Sequence, residues 1–179
     1  MRAPRAVLVA LTVAACLGCG YRPLAAHGAG AQRLAVVAGA RTVPAARAED
    51  ALVAATAGRL AEAGELAGGA GYPRLEVELL RLDETAEALA PSGGRPLGRG
   101  VRVTATGRAR VLRAPDEAPA FDTGDMSAHV FVGTASSAAS SLALRDEAAA
   151  LAARALGRRL GERVLGLPSP SDEGRGADY

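Results

Sequence analysis

Apolar and polar side chains alternate without a break across residues 101–112, and this pattern constrains the fold more than any other feature. From Val101 to Val111 every second residue is Val, Ala or Gly, and the residues between them are Arg or Thr. Successive side chains of a β-strand point to opposite faces of the sheet. The segment therefore predicts a strand with one face packed on a core and the other face polar.

The remaining patterns predict three more strands and two helices. Leu75, Val77 and Leu79 alternate with glutamates, which indicates a second half-buried strand. The last helix has leucines at helical spacing and begins with Ser140 or Ser141 as its predicted N-cap. The strands are predicted at residues 34–39, 72–82 and 121–132, and the helices at residues 45–63 and 142–165. Residues 83–100 are rich in Gly and Pro and predict a loop with little secondary structure.

This order, β-α-β-β-β-α, predicts the fold class. The first two strands flank a helix, which favours a right-handed crossover between them, and the last three strands can form an antiparallel meander. The expected fold is an α+β two-layer sandwich, a four-stranded, mostly antiparallel sheet with two helices on one face.

The N-terminus has the layout of a secretory signal peptide. Arg2 and Arg5 precede a short apolar run, residues 6–15, which is too short to span a bilayer. Small residues and Cys16 and Cys19 follow directly. A cysteine at this point resembles a bacterial lipobox, in which the signal is cut before the cysteine and the thiol carries a diacylglycerol.

Two positions compete for the lipid. Val13-Ala14-Ala15-Cys16 matches the usual lipobox letters better, whereas cleavage before Cys19 gives a mature chain that begins Cys-Gly-Tyr-Arg-Pro-Leu. We favour Cys19, with Cys16 as the alternative. The expected organisation is a signal peptide at residues 1–18, a lipid-anchored tether at 19–33, one α+β domain at 34–167 and a disordered polar tail at 168–179.

Composition narrows the function classes. Removal of 18 residues from the 179 leaves 161, enough for one domain with a core. The mature chain has 19 arginines against 19 acidic residues, because Arg2 and Arg5 leave with the signal. A nucleic-acid partner is therefore not expected. No cysteine follows Cys19, so the domain has no internal disulfide.

No combination of residues predicts catalysis. The two histidines, His27 in the tether and His129 on a strand, have no cysteine or carboxylate at metal-ligand spacing. Glu76 and Glu78 alternate along one strand face, which favours a solvated surface over an acid/base pair. We expect no metal, no cofactor and no enzymatic activity.

A group of arginines is the one candidate binding feature. Arg102, Arg108 and Arg110 share the polar face of the alternating strand, and Arg95 and Arg99 precede it. Guanidinium groups bind phosphate and carboxylate through paired hydrogen bonds. One interpretation is a contact surface for a phosphorylated glycolipid or an acidic protein wall. The other is an ordinary polar sheet face balanced by Glu76 and Glu78.

A lipobox runs into Cys19-Gly20-Tyr21, and a strand such as residues 34–37, a helix, three strands and a long C-terminal helix follow it. This arrangement resembles the LPS-assembly lipoprotein LptE family. The resemblance covers nearly the whole mature chain in element order, and its sharpest motif is the Cys-Gly-Tyr start.

The resemblance implies a non-enzymatic role at the periplasmic face of the outer membrane. Members of the family sit inside the LptD β-barrel as a plug and assembly partner, and they help to deliver lipopolysaccharide to the outer leaflet. It also implies lipopolysaccharide binding through basic residues, for which the five arginines are the candidates. The alternative is a periplasmic accessory lipoprotein of an ABC-type lipid transporter or of a cell-wall synthase.

Overall fold

A computed structural model describes residues 33–88, 99–133 and 137–167. The elements, in chain order, are β1 (Ala35–Ala38), α1 (Ala46–Glu62), β2 (Arg74–Ala88), β3 (Arg99–Leu112), β4 (Phe121–Asp122), β5 (Met126–Gly133) and α2 (Ala138–Val164). None of the helices in these ranges is long and apolar enough to cross a membrane.

The strands form one mixed sheet. β1 pairs with β2 in parallel, and β2 pairs with β3 in antiparallel register from Arg74 opposite Leu112 to Ala88 opposite Arg99. β4 and β5 both pair with β3 along its other edge, also antiparallel. The α+β two-layer sandwich predicted from the sequence is confirmed, with five strands in place of four.

The core lies between the sheet and the two helices. The apolar positions of the alternating strand, such as Val103 and Ala105, are almost completely buried, as is Leu156 of α2. Burial of a leucine side chain stabilises a fold by about 1.5–3 kcal/mol. The predicted buried face of β3 is therefore the face on which α2 packs.

The two helices run side by side in the same direction and approach very closely. A Cβ atom on Gly157 of α2 would lie 2.4 Å from the carbonyl oxygen of Leu52 in α1. A Cβ atom on Gly161, one turn further, would lie 2.8 Å from the Cβ of Arg59. Glycine at both positions lets the backbones approach as a larger residue would not.

The single strand predicted at residues 121–132 is wrong, because the chain breaks between β4 and β5. Gly124 has a φ of +67°, a left-handed conformation that interrupts the ladder and that glycine adopts at little cost. Thr123 stabilises the break: its hydroxyl accepts a hydrogen bond from the Ala109 N–H at 3.0 Å.

Two further expectations need correction. The predicted loop 83–100 begins too early and ends too late, since β2 continues to Ala88 and β3 starts at Arg99; residues 89–98 lie outside the described part. The N-cap of α2 is Ser137, not Ser140 or Ser141, because the Ser137 hydroxyl accepts a hydrogen bond from the Ser140 N–H. Small polar residues at several adjacent positions make the start of such a helix ambiguous in the sequence.

Candidate interaction surface on the polar sheet face

We use "polar sheet face" for the side of β2, β3 and β5 that points away from the helices. Its members on β3 are the alternate residues Arg102, Thr104, Thr106, Arg108 and Arg110. The register places Arg110 opposite Glu76 and Arg108 opposite Glu78. Opposite charges on neighbouring strands stabilise a sheet by about 0.2–1 kcal/mol for each pair.

Arg110 is held by a carboxylate of β2. Its guanidinium donates a hydrogen bond of 2.9 Å to Glu78 Oε2, and the side chains are 33% and 12% exposed. Glu76, which faces Arg110 in the register, instead accepts a hydrogen bond from Arg74. The two glutamates are thus partners of arginines, as the simpler interpretation of this face expects.

Arg108 is held by acidic residues at the end of β4 and in the segment that follows it. Its Nε and Nη2 atoms donate to Asp125 Oδ1 at 3.0 and 2.6 Å, and Asp122 lies 3.8 Å away. These carboxylates, Asp125 above all, raise the pKa of Arg108 above its ordinary value. Sequence reasoning missed this pair, because it depends on the turn at Gly124.

Arg102 lies on the same face beside two aromatic rings. Its guanidinium stacks over the ring of Phe131 at 4.7 Å from the centroid. The Phe131 ring meets the ring of His129 edge to face, with the centroids 5.7 Å apart. Phe131 is 48% exposed, so the cluster presents an apolar ring to solvent at this end of the face.

The structure therefore brings Arg102, Arg108 and Arg110 onto one surface, each in contact with other side chains. Arg95 lies outside the described residues, and Arg99 begins β3 with its side chain outside the description. Cys16, Cys19 and His27 also lie outside it. On the polar sheet face, Arg108 and Arg110 already form ion pairs with acidic side chains, so their positive charges are balanced.

A second feature, which the sequence did not indicate, lies at the start of α1. A shallow cavity of about 360 Å³ is lined by residues 41–46 and Glu49. The side chain of Glu49 is only 9% exposed and pairs with Arg41 Nε at 3.0 Å. An arginine already neutralises the one carboxylate of the cavity, so the cavity offers no acid/base pair.

Within residues 33–88, 99–133 and 137–167, no group of three or more His, Cys, Asp or Glu side chains could hold a metal ion. His129, the one histidine in these ranges, contacts Phe131 on the exposed face of the sheet.

Comparison with known proteins gives structural neighbours only. No family model matches the chain, and no curated protein matches it in sequence. A crystal structure described as a minor lipoprotein of Acinetobacter baumannii matches with a TM-score of 0.51 and 9% identity, over 75% of this chain and 91% of that one. A candidate lipoprotein of Caulobacter crescentus CB15 matches with a TM-score of 0.48 and 13% identity, over 80% of this chain and 92% of that one.

At such low identity the likeness concerns the fold alone. The match covers nearly the whole length of the Acinetobacter baumannii structure, which agrees with a small α+β domain of this architecture. The comparison thus supports the two-layer fold and leaves the role of the polar sheet face to be argued from its residues.

Proposed function

We propose that this chain is a lipid-anchored protein of the bacterial envelope that acts without catalysis. In this proposal it is the partner of an LptD-like outer-membrane β-barrel in lipopolysaccharide assembly, as the LptE family is. The anchor is Cys19, with Cys16 as the alternative, and the domain lies at the periplasmic face of the outer membrane.

The polar sheet face carries the proposal. It carries ion pairs between arginines and carboxylates, such as Arg110–Glu78 and Arg108–Asp125. The interior of a large outer-membrane barrel is polar as well. A face whose charges are balanced can lie against such a polar wall and replace its own ion pairs by ion pairs with the wall. An apolar face could not do so.

The N-terminal sequence gives separate support. Lipidation adds about 0.8 kcal/mol of membrane binding for each buried CH₂, so a multiply acylated cysteine holds a domain at a membrane without a spanning helix. The start Cys19-Gly20-Tyr21 is the motif on which the resemblance to the LptE family rests. The Acinetobacter baumannii structure is itself described as a lipoprotein.

The arginines define how lipopolysaccharide would bind. Phosphate groups of the glycolipid compete with carboxylates for guanidinium groups, since both accept paired hydrogen bonds. Arg108 would exchange Asp125, and Arg110 would exchange Glu78, for phosphate oxygens. Arg102 would bring the exposed ring of Phe131 into contact with the same molecule.

The test is a pull-down of the tagged full-length lipoprotein from detergent-solubilised outer membrane, followed by mass spectrometry of the bound proteins. We expect a large β-barrel in stoichiometric amount. Replacement by Ser of three exposed arginines of α2, namely Arg154, Arg158 and Arg163, should leave the barrel bound, because these residues lie outside the polar sheet face.

Two results of the pull-down would contradict the proposal. One is recovery of the lipoprotein alone. The other is recovery with inner-membrane transporter subunits or cell-wall synthases, which would establish the accessory role instead.

A further inference from the structure

The strand β5 ends the sheet among the described residues. It pairs with β3 on one side, from Met126 opposite Gly107 to Gly133 opposite Gly100, and no described strand pairs with its other side. An edge of eight residues exposes a row of backbone N–H and C=O groups that can pair with another strand.

The residues that face this outer edge can be identified. The Ala109 carbonyl oxygen accepts a hydrogen bond from the Thr123 N–H, so Ala109 and the alternate residues of β3 before it direct their backbone groups toward β4 and β5. Their register partners on β5 are Met126, Ala128, Val130 and Val132. The carbonyl oxygen of Ser127, which lies between two of these partners, accepts a hydrogen bond of 2.9 Å from Arg159 of α2. In an antiparallel ladder, alternate residues direct both backbone groups to the same side. His129, Phe131 and Gly133 therefore direct their N–H and C=O groups outward together with Ser127.

Natural edge strands are usually protected by charged side chains, prolines or bulges. β5 has the sequence MSAHVFVG, which holds no Asp, Glu, Lys, Arg or Pro, and its register with β3 is regular throughout. Arg159 protects only the first outward residue, Ser127. The backbone groups of the other three outward residues have no such protection among the described residues.

We infer that this edge pairs with the β5 strand of a second copy of the chain, in antiparallel orientation, to form one continuous sheet. Two uncharged identical strands meet across a two-fold axis without like-charge repulsion. The outward residues also complement themselves: His129 falls opposite the second copy's Phe131, and Ser127 falls opposite the second copy's Gly133.

This pairing accounts for the exposed ring of Phe131. Each copy already contains an edge-to-face contact between His129 and Phe131, and the junction would add two more rings beside it. Aromatic cross-strand pairs are favourable contacts in sheets. Two eight-residue strands form an interface below the roughly 1,200 Å² of lasting complexes, so we expect a concentration-dependent dimer.

The inference does not depend on the proposed function, and it is tested by sedimentation velocity of the full-length chain in detergent micelles. We expect the dimer fraction to rise over protein concentrations from about 1 to 100 μM. His129→Pro removes one outward N–H and leaves the bonds to β3 intact, since proline is tolerated where an edge N–H faces solvent. His129→Ala is the matched control, because it removes the same ring and keeps the N–H.

We expect His129→Ala to dimerise measurably and His129→Pro to sediment as a monomer with an unchanged circular-dichroism spectrum. A wild-type chain that stays monomeric at all concentrations overturns the inference, as does a His129→Pro variant that dimerises as well as His129→Ala. If the wild-type chain is monomeric and His129→Pro lowers its free energy of unfolding, the edge of β5 pairs with another segment of the same chain and not with a second copy.

If His129→Pro does not fold, His129→Glu decides the question. It places like charges close together across the two-fold axis, so the dimer should weaken at low salt and recover as salt screens the charges. Unchanged dimerisation of this variant at low salt also overturns the inference.

Discussion

The hydroxyl of Thr56 in α1 lies 3.2 Å from the carbonyl oxygen of Gly157 in α2 and 2.9 Å from the carbonyl oxygen of Leu52 in its own helix. Thr56 is completely buried. The hydroxyl already has an acceptor in its own helix, and it also reaches the Gly157 carbonyl oxygen because Gly157 lets the two helices approach so closely. The two helices predicted on one face of the sheet thus form a tightly packed pair.

Gly157→Ala tests this close approach. The new Cβ would lie 2.4 Å from the Leu52 carbonyl oxygen, which is backbone and cannot move aside without shifting α1. We expect a loss of about 1–3 kcal/mol in the free energy of unfolding, typical of overpacking. Urea denaturation followed by circular dichroism measures it.

Gly58→Ala is the matched control in α1, because nothing lies within 4 Å of its added Cβ. It should stabilise the protein by about 0.5–1 kcal/mol, since alanine is the better helix former. Equal effects of the two substitutions would contradict the close packing.

Gly107→Ala tests the contact between β3 and the core. The added Cβ would lie 2.6 Å from the Glu78 carbonyl oxygen and 3.1 Å from Leu156 Cδ2. Neither neighbour can yield freely, because one is backbone and the other is a completely buried side chain. We expect about 1–3 kcal/mol of destabilisation in thermal or urea unfolding.

Gly133→Ala serves as the comparison for Gly107→Ala, since Gly133 also lies in a strand and an added Cβ meets nothing within 4 Å. Its free energy of unfolding should stay within about 0.5 kcal/mol of the wild-type value. A Gly107→Ala protein as stable as the wild type would show that the sheet and α2 are further apart than described.

Joint replacement of Arg102, Arg108 and Arg110 by Ser tests the proposed contact with lipopolysaccharide. We expect weaker binding, because three guanidinium groups are lost from one face, while the fold survives. Binding of labelled lipopolysaccharide to the purified lipoprotein in detergent measures the effect, and circular dichroism checks the fold.

The control for the triple variant removes three arginines from α2, namely Arg154, Arg158 and Arg163, and so changes the net charge equally. Lipopolysaccharide binding that falls equally in both variants would indicate non-specific attraction. Unchanged binding in the sheet variant would remove these arginines from the proposed site.

Cys19→Ser tests the anchor. We expect the variant to lose incorporation of labelled fatty acid and to leave the membrane fraction. The reason is that Cys19 carries the lipid anchor in our prediction, and a protein without its acyl chains is not held at the membrane. Cys16→Ser should remain labelled and membrane-bound. The reverse pattern would assign the lipid to Cys16, and labelling of both variants would show that neither cysteine alone is the site.

Part of the candidate surface could be read from the sequence. The alternation from Val101 onward placed Arg102, Arg108 and Arg110 on one face, because the two-residue period of a strand is a local property. The partners of these arginines could not be read in the same way. Asp125 reaches Arg108 only through the left-handed turn at Gly124, and a single glycine in a strand pattern does not distinguish a bulge from a break.

The sequence by itself determined the order of elements up to the break between β4 and β5, the buried face of β3 and the direction in which its arginines point, since periodicity and turn residues act over a few neighbouring positions. Only the tertiary structure decided the close crossing at Gly157, the pairing of Arg110 with Glu78 and the exposed edge of β5. These features depend on the distance between segments far apart in the chain. Packing of the whole core sets that distance.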